Sequence, residues 1–267
     1  MKHCFLDIKN NQIEYITFGN FSNKSPVLIL LHEGLGSVAM WRDIPKLIHE
    51  KTKMNILVYS RIGYGKSSKA ELPRPTSYMS IEAEEYLPII LQKLSIKKYF
   101  LIGHSDGGTI AALASINKSS VELLGTILIA PHFFVEKESI IAIEETTDQY
   151  KNKKLRSKLE KYHNDVDNAF FGWSNVWLST SFKKWNISNY LSKIKTPILV
   201  IQGTKDPYGT VNQVQVLEEN LKSPLQKVII EDCGHNPFYE FPETTIKYIN
   251  KFINYIHNHI FIKYPRT

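Results

Sequence analysis

Residues 98–110 read Lys-Tyr-Phe-Leu-Ile-Gly-His-Ser-Asp-Gly-Gly-Thr-Ile, and the fold is decided by how this stretch is read. Residues 99–102 are aromatic and aliphatic with no breaker, the pattern of a buried parallel strand. Residues 109–116 are rich in Ala and Leu, which predicts a helix. Between them stands Gly103-His104-Ser105-Asp106-Gly107, a G-x-S-x-G pattern in a strand–turn–helix context. A serine on such a turn is held in a strained backbone conformation, with its hydroxyl projecting above the sheet. Glycines flank it because side chains there would strike the neighbouring strand and helix. The helix that follows directs its N-terminus at the serine and favours negative charge developing beside it. Ser105 is the candidate nucleophile.

A serine hydroxyl needs a base to take its proton, and the base needs a carboxylate to fix its tautomer and steady its charge. In sites built on this turn the chain order is serine, acid, histidine. Residues 198–207, Ile-Leu-Val-Ile-Gln-Gly-Thr-Lys-Asp-Pro, put Asp206 just after a strand. Residues 228–237, Val-Ile-Ile-Glu-Asp-Cys-Gly-His-Asn-Pro, put His235 in the loop after the next. Both fall at strand C-terminal ends, where open α/β sheets place their chemistry. Asp232 competes as the acid, but three residues from His235 in one loop it is poorly placed to grip the ring. His104 is expected on the far side of the turn in a structural role. The transition state also needs oxyanion donors: the backbone N–H of Asp106 is one, and Gly34, in His32-Glu33-Gly34-Leu35-Gly36-Ser37, is the expected second. The Asp106 carboxylate either partners the helix dipole or faces the pocket. The segment Arg61-Ile62-Gly63-Tyr64-Gly65-Lys66-Ser67 reads as a structural turn bracing the Gly34 loop.

Outward from this centre the chain alternates strand and helix patterns, which predicts an α/β fold with a mostly parallel central sheet and helices on both faces. Strands are expected over 4–8 and 12–18, an antiparallel opening pair, then over 26–32, 55–60, 124–130, 197–202 and 226–231. Helices are expected over 41–51, 80–94, 211–221 and 242–257. Residues 132–190 break the alternation: they show no strand pattern and hold Trp173, Trp177 and Trp185, three of the four tryptophans. Residues 1–131 and 191–267 therefore read as the core and 132–190 as an inserted helical cap over the site. Most of the cap aromatics should pack against the core, with one or two facing substrate. Glu33, His132, Trp173 and Trp177 are the candidate substrate contacts.

The bulk numbers set bounds. A chain of 267 residues, 43% hydrophobic and 22% charged, suits one soluble globular body. The net charge of +7 raises the question of a polyanion partner. Its excess lies largely after residue 244, in Lys247, Lys251, Lys263 and Arg266 with no acid, and no basic-aromatic stripe accompanies it, so no nucleic acid partner is expected. Residues 1–10 lack the pattern of a secretory leader, and no apolar run is long enough to span a bilayer. Cys4 and Cys233 form no metal-spacing motif. A reduced cytoplasmic setting without a metal site is expected. The oligomeric state is open.

On these motifs the chain resembles an α/β-hydrolase over nearly its full length. More narrowly, the His32–Ser37 loop with Trp41-Arg42-Asp43, the Gly103–Gly108 turn, Phe171-Gly-Trp-Ser-Asn-Val-Trp177 and Asp206-Pro-Tyr-Gly-Thr210 are similar to a bacterial subfamily. The resemblance implies serine hydrolase chemistry without a cofactor, on a small-molecule ester, thioester or similar acyl substrate. There are departures. Many relatives carry glycine where this chain has Glu33, which leaves the donor arrangement open. The pattern of proline iminopeptidases, with Pro in the oxyanion loop and Trp after the nucleophile, is absent. Haloalkane dehalogenases carry aspartate where Ser105 stands. Four readings remain: hydrolysis of a small to medium, partly apolar ester; thioesterase action, for which an acidic acyl carrier protein would suit the basic balance; carbon–carbon hydrolysis of a ring-cleavage dienoate; and a non-catalytic ligand sensor on the same scaffold.

Overall fold

A computed structural model describes residues 3–21, 25–117 and 121–263, with side chains as far as residue 258. Arg266, at the end of the basic C-terminal run, and the Lys263 side chain lie outside what is described. Eight strands form one sheet: β1 (Cys4–Ile8), β2 (Asn11–Phe18), β3 (Val27–Leu31), β4 (Asn55–Tyr59), β5 (Lys98–His104), β6 (Glu122–Ile129), β7 (Ile198–Gly203) and β8 (Leu225–Ile230), in the order β1-β2-β4-β3-β5-β6-β7-β8. β1, β2 and β4 pair antiparallel, and every later pairing is parallel. β3, β4 and β7 are buried at every residue, as strands covered on both faces must be.

The described helices are α1 (Ile44–Thr52), α2 (Tyr78–Ile81) running through a π-helical turn into α3 (Leu87–Lys93), α4 (Asp106–Ala114), α5 (Lys137–Lys151), α6 (Lys154–Leu159), α7 (Val166–Trp177), α8 (Asn212–Asn220), α9 (Pro237–Glu240) and α10 (Pro242–Lys263). The expected fold class is present. Two apolar clusters lie on opposite faces of the sheet. One joins Ile16, Leu28, Phe100 and Ile127 to Ile48 of α1 and Ile249 of α10. The other joins Ile29, Leu101 and Leu128 to α3 and α4.

This second cluster continues without interruption into Phe170, Trp173, Trp177 and Phe182 of residues 132–190. That segment leaves the sheet after β6 and is built of α5, α6, α7 and two 3₁₀ turns. Its only strand-like pairing among the described residues is an isolated bridge between Phe134 and Asn186.

Candidate active site

Ser105 lies between the last residue of β5 and the first of α4, with φ 55° and ψ −120°. A residue with a Cβ adopts that conformation only when its surroundings over-determine it. The Ser105 N–H is tied to the Ile129 carbonyl at 2.9 Å. α4 in turn lies so close to β3 that a Cβ on Gly107 would run into the backbone of Leu31 and His32. The side chain is left directed into a cleft of about 500 Å³, shared with Glu33, Gly34, Leu35, Asp106, His132, Ser139, Ile143, Trp173, Trp177, Tyr208 and His235.

Asp206 and His235 follow β7 and β8, and Asp206 Oδ2 lies 2.8 Å from His235 Nδ1. The carboxylate is fixed by three further donors: Gln202 Nε2 to Oδ2 at 2.8 Å, and the N–H groups of Tyr208 and Gly209 to Oδ1 at 2.8 and 3.2 Å. Burial alone would raise its pKa; His235 and these hydrogen bonds hold it down to about 2. Asp232 is exposed, on a left-handed residue at φ 57°. Ser105 Oγ has one side-chain partner among the described residues, and it is not His235: it is His132 Nε2, at 3.4 Å. The His132 and His235 rings lie 5.8 Å apart between centroids.

Neither the N–H of Gly34 nor that of Asp106 has an acceptor among the described residues, although both residues line the cleft. The carbonyl of Glu33, just before Gly34, is held by His32 Nδ1 at 2.7 Å and Arg61 Nη2 at 2.8 Å. These bonds turn it from the site. Gly34 must be glycine, because a Cβ would collide with the Trp173 indole.

The Asp106 carboxylate is fully buried and engaged away from solvent. It accepts from Tyr78 Oη at 2.6 Å and Trp177 Nε1 at 3.3 Å, with Arg61 Nη1 at 3.9 Å. Burial nevertheless pushes it above its ordinary range. Of the two open expectations for this group, partner of the helix dipole or wall of the pocket, it is chiefly a buried anchor for Tyr78 and Trp177.

Glu33 faces His104. Its Oε2 lies 3.6 Å from His104 Nδ1, and His104 Nε2 reaches the His235 carbonyl at 2.7 Å. Burial opposes both charges, yet the pair wins: Glu33 is held down to about 2 and His104 is raised. Trp173 and Trp177 both line the cleft, whereas Phe133 and Phe170 are fully buried core. The sequence reading missed Tyr208, whose ring lies 4.8 Å from that of His235, and Ser139, whose Oγ donates to the Tyr208 carbonyl at 2.5 Å. It also missed Ile143 and Leu35. Only Tyr208 carried a signal, its place two residues after Asp206. No metal-binding group of three or more His, Cys, Asp or Glu occurs among the described residues. None of the described helices is long and apolar enough to cross a membrane.

The family model described as "alpha/beta hydrolase fold" matches residues 26–144. The chain is 22% identical over 278 residues to a proline iminopeptidase of Lactobacillus crispatus, covering 90% of this chain and 94% of that protein. It is 27% identical over 262 residues to a Mycoplasma pneumoniae protein named as an esterase/lipase, covering 85% and 89%. Among solved structures, the enol-lactonase of Burkholderia xenovorans is similar with a TM-score of 0.74 at 16% identity, covering 94% of this chain and 100% of that one.

Proposed function

We propose, from its α/β-hydrolase fold, that this chain is a serine hydrolase cleaving a carboxylic ester or thioester of a small to medium, partly apolar acyl group through Ser105, His235 and Asp206. The observation that carries this reading is the pairing of Asp206 with His235 at 2.8 Å in the cleft that holds the strained Ser105. Asp206 fixes the proton of His235 on Nδ1 and leaves Nε2 free as the base.

Ser105 Oγ attacks the acyl carbon as its proton passes to His235. The oxyanion is met by the N–H groups of Gly34 and Asp106, both without an acceptor among the described residues and both lining the cleft, Asp106 at the start of α4. The alcohol or thiol leaves with the proton from His235, and water releases the acid by the same path in reverse. Trp173, Ile143 and Leu35 give the acyl chain an apolar wall. No Lys or Arg is among the residues lining the cleft, and this supports ester cleavage over a dienoate, whose carboxylate needs a cation. The intact acid–base pair supports an enzyme over a sensor.

A fluorophosphonate should label Ser105 in the wild type and leave Ser105→Ala unmodified. Ser105→Ala should also lose several orders of magnitude in turnover on p-nitrophenyl esters while keeping its circular dichroism. Acyl-thioesters and a ring-cleavage dienoate assayed beside the esters separate the bond types. Labelling that persists in Ser105→Ala would refute the assignment.

A further inference from the structure

The Ser105 hydroxyl has two histidines in its cleft, and the ordinary chemistry of the site uses only one. His132 follows β6 directly, is 2% exposed, and brings Nε2 to 3.4 Å from Ser105 Oγ. Its backbone is fixed on both sides by Thr109, whose Oγ1 donates to the His132 carbonyl at 2.6 Å and accepts from the His132 N–H at 3.3 Å. Its ring is held edge-on to Trp177, with centroids 5.1 Å apart. The other ring nitrogen, Nδ1, is buried and has no hydrogen-bond partner among the described residues.

That orphan nitrogen selects the tautomer. If the proton sat on Nδ1, a buried N–H would have no acceptor and the full desolvation penalty of that donor would go uncompensated. With the proton on Nε2, the donor is satisfied by Ser105 Oγ and only a lone pair is left bare, which is tolerated more readily. The imidazolium is excluded as well: burial, reinforced by the facing His235, pushes the His132 pKa down to about 3 against the pull of Asp206. His132 is therefore a fixed neutral donor.

Resting on the serine hydrolase reading, we propose that His132 is a second catalytic histidine whose Nε2–H donates a hydrogen bond to Ser105 Oγ while that oxygen carries negative charge. It transfers no proton. During acylation the Oγ proton goes to His235 as the Oγ–carbon bond forms, and His132 stabilises the charge on Oγ before that bond is complete. During deacylation, water adds to the acyl carbon and gives its proton to His235. The carbon–Oγ bond then breaks, Oγ keeps the electron pair, and His235 returns a proton to it. His132 again faces the oxygen as it departs. The resting distance is long for a hydrogen bond, as such contacts often are before substrate binds, and it shortens as Oγ gains charge.

Three enzymes test this: wild type, His132→Leu, which removes the donor at similar volume, and His132→Gln, whose amide N–H replaces it. With p-nitrophenyl butyrate, stopped-flow should give a burst and a steady state for each. His132→Leu should lose about tenfold to a hundredfold in kcat, less than is typical of an oxyanion donor, with KM within about twofold. His132→Gln should recover most of that loss. The acid limb of the pH profile should not move, because His132 does not titrate there. A ¹⁵N spectrum of histidine-labelled wild type should show the His132 proton on Nε2, a reading that does not depend on any variant folding. A proton on Nδ1, a His132→Leu enzyme within twofold of wild type in kcat, or equal damage in the Leu and Gln variants would each overturn the proposal. If the fluorophosphonate labels wild-type Ser105 in the same preparation, such a result removes the role of His132 alone. If it does not label, the serine hydrolase reading falls first.

Discussion

Glu33 precedes Gly34 at the edge of the cleft, and its partner explains why a carboxylate is tolerated in this loop. Only 22% of the side chain is exposed, and it faces a histidine that is 3% exposed. His104 in turn spends its second ring nitrogen on the carbonyl of His235. When His104 is charged it donates from both nitrogens and clamps the Gly34 loop to the His235 loop; when neutral it must give up one bond. The titratable groups around this pair are His32, His235, Asp206 and Tyr239. The stability this pair supplies depends on pH with a definite sign. Glu33 is depressed from 4.5 to about 2, so its contribution is complete above about pH 4.5 and disappears as the pH falls toward 2. His104 is raised from 6.5, so its contribution is complete below about pH 6.5 and is lost as the pH climbs through the elevated value. Glu33→Gln should therefore lower Tm most between about pH 4.5 and 6.5, with the deficit shrinking toward pH 9. A deficit independent of pH would mean that Glu33 acts through packing against Gly36 and not through charge.

Among the elements, α7 connects residues 132–190 to the cleft, and one turn of it carries two different jobs. Asp165 caps the helix by accepting from the Asn168 N–H at 2.9 Å. Trp173 and Trp177, four residues apart, then fall on one face. That shared face could be read from spacing alone. The division of labour could not, because it depends on partners remote in sequence. Trp177 is 1% exposed and donates to Tyr78 and Asp106, whereas Trp173 leans on the bare backbone of Gly34. Ser105, Asp206 and His235 were legible for the opposite reason: each closes a strand of a parallel sheet, so order along the chain fixes position at one edge. The Glu33–His104 pair and the His132 contact join loops from different strands, and no local pattern signals them. Trp173→Ala should weaken transition-state binding by about 1–3 kcal/mol, with the loss growing from acetyl to octanoyl esters. Trp177→Ala should instead cost about 3–5 kcal/mol of stability, from a cavity and two orphaned acceptors, with little change in chain-length profile. The two profiles, measured side by side with urea midpoints, decide which ring reads the acyl chain; if Trp173→Ala leaves the profile flat, that ring is packing.

Across the whole molecule, the insertion is separate in sequence but not in its core. The apolar cluster on one face of the sheet runs from Ile29 and Leu101 through Ile110 of α4 to Trp177, Phe182 and Leu191. Phe182 is fully buried, stacks on Trp185 at 5.1 Å and meets Trp177 edge-on at the same distance. Beneath them the buried Arg61 lies between Asp106 and the oxyanion loop, reaching the Glu33 and His32 carbonyls at 2.8 and 3.3 Å. An insertion that shares its apolar core with the sheet cannot melt alone without exposing the sheet's own surface to water. The protein should therefore unfold in one transition. Tryptophan emission is weighted toward residues 132–190, which hold Trp173, Trp177 and Trp185, while far-UV circular dichroism reports the sheet and all the helices, most of which lie outside that segment. In urea the two signals should share a midpoint, and Phe182→Ala should move both together by the equivalent of about 3–5 kcal/mol. A fluorescence transition that precedes the dichroism transition, or a Phe182→Ala shift confined to fluorescence, would mean that the cap opens as a separate unit. In that case the walls of the acyl cleft would be mobile in the folded enzyme, and the fixed donor geometry argued for His132, which packs on Trp177, would have to be revised with it.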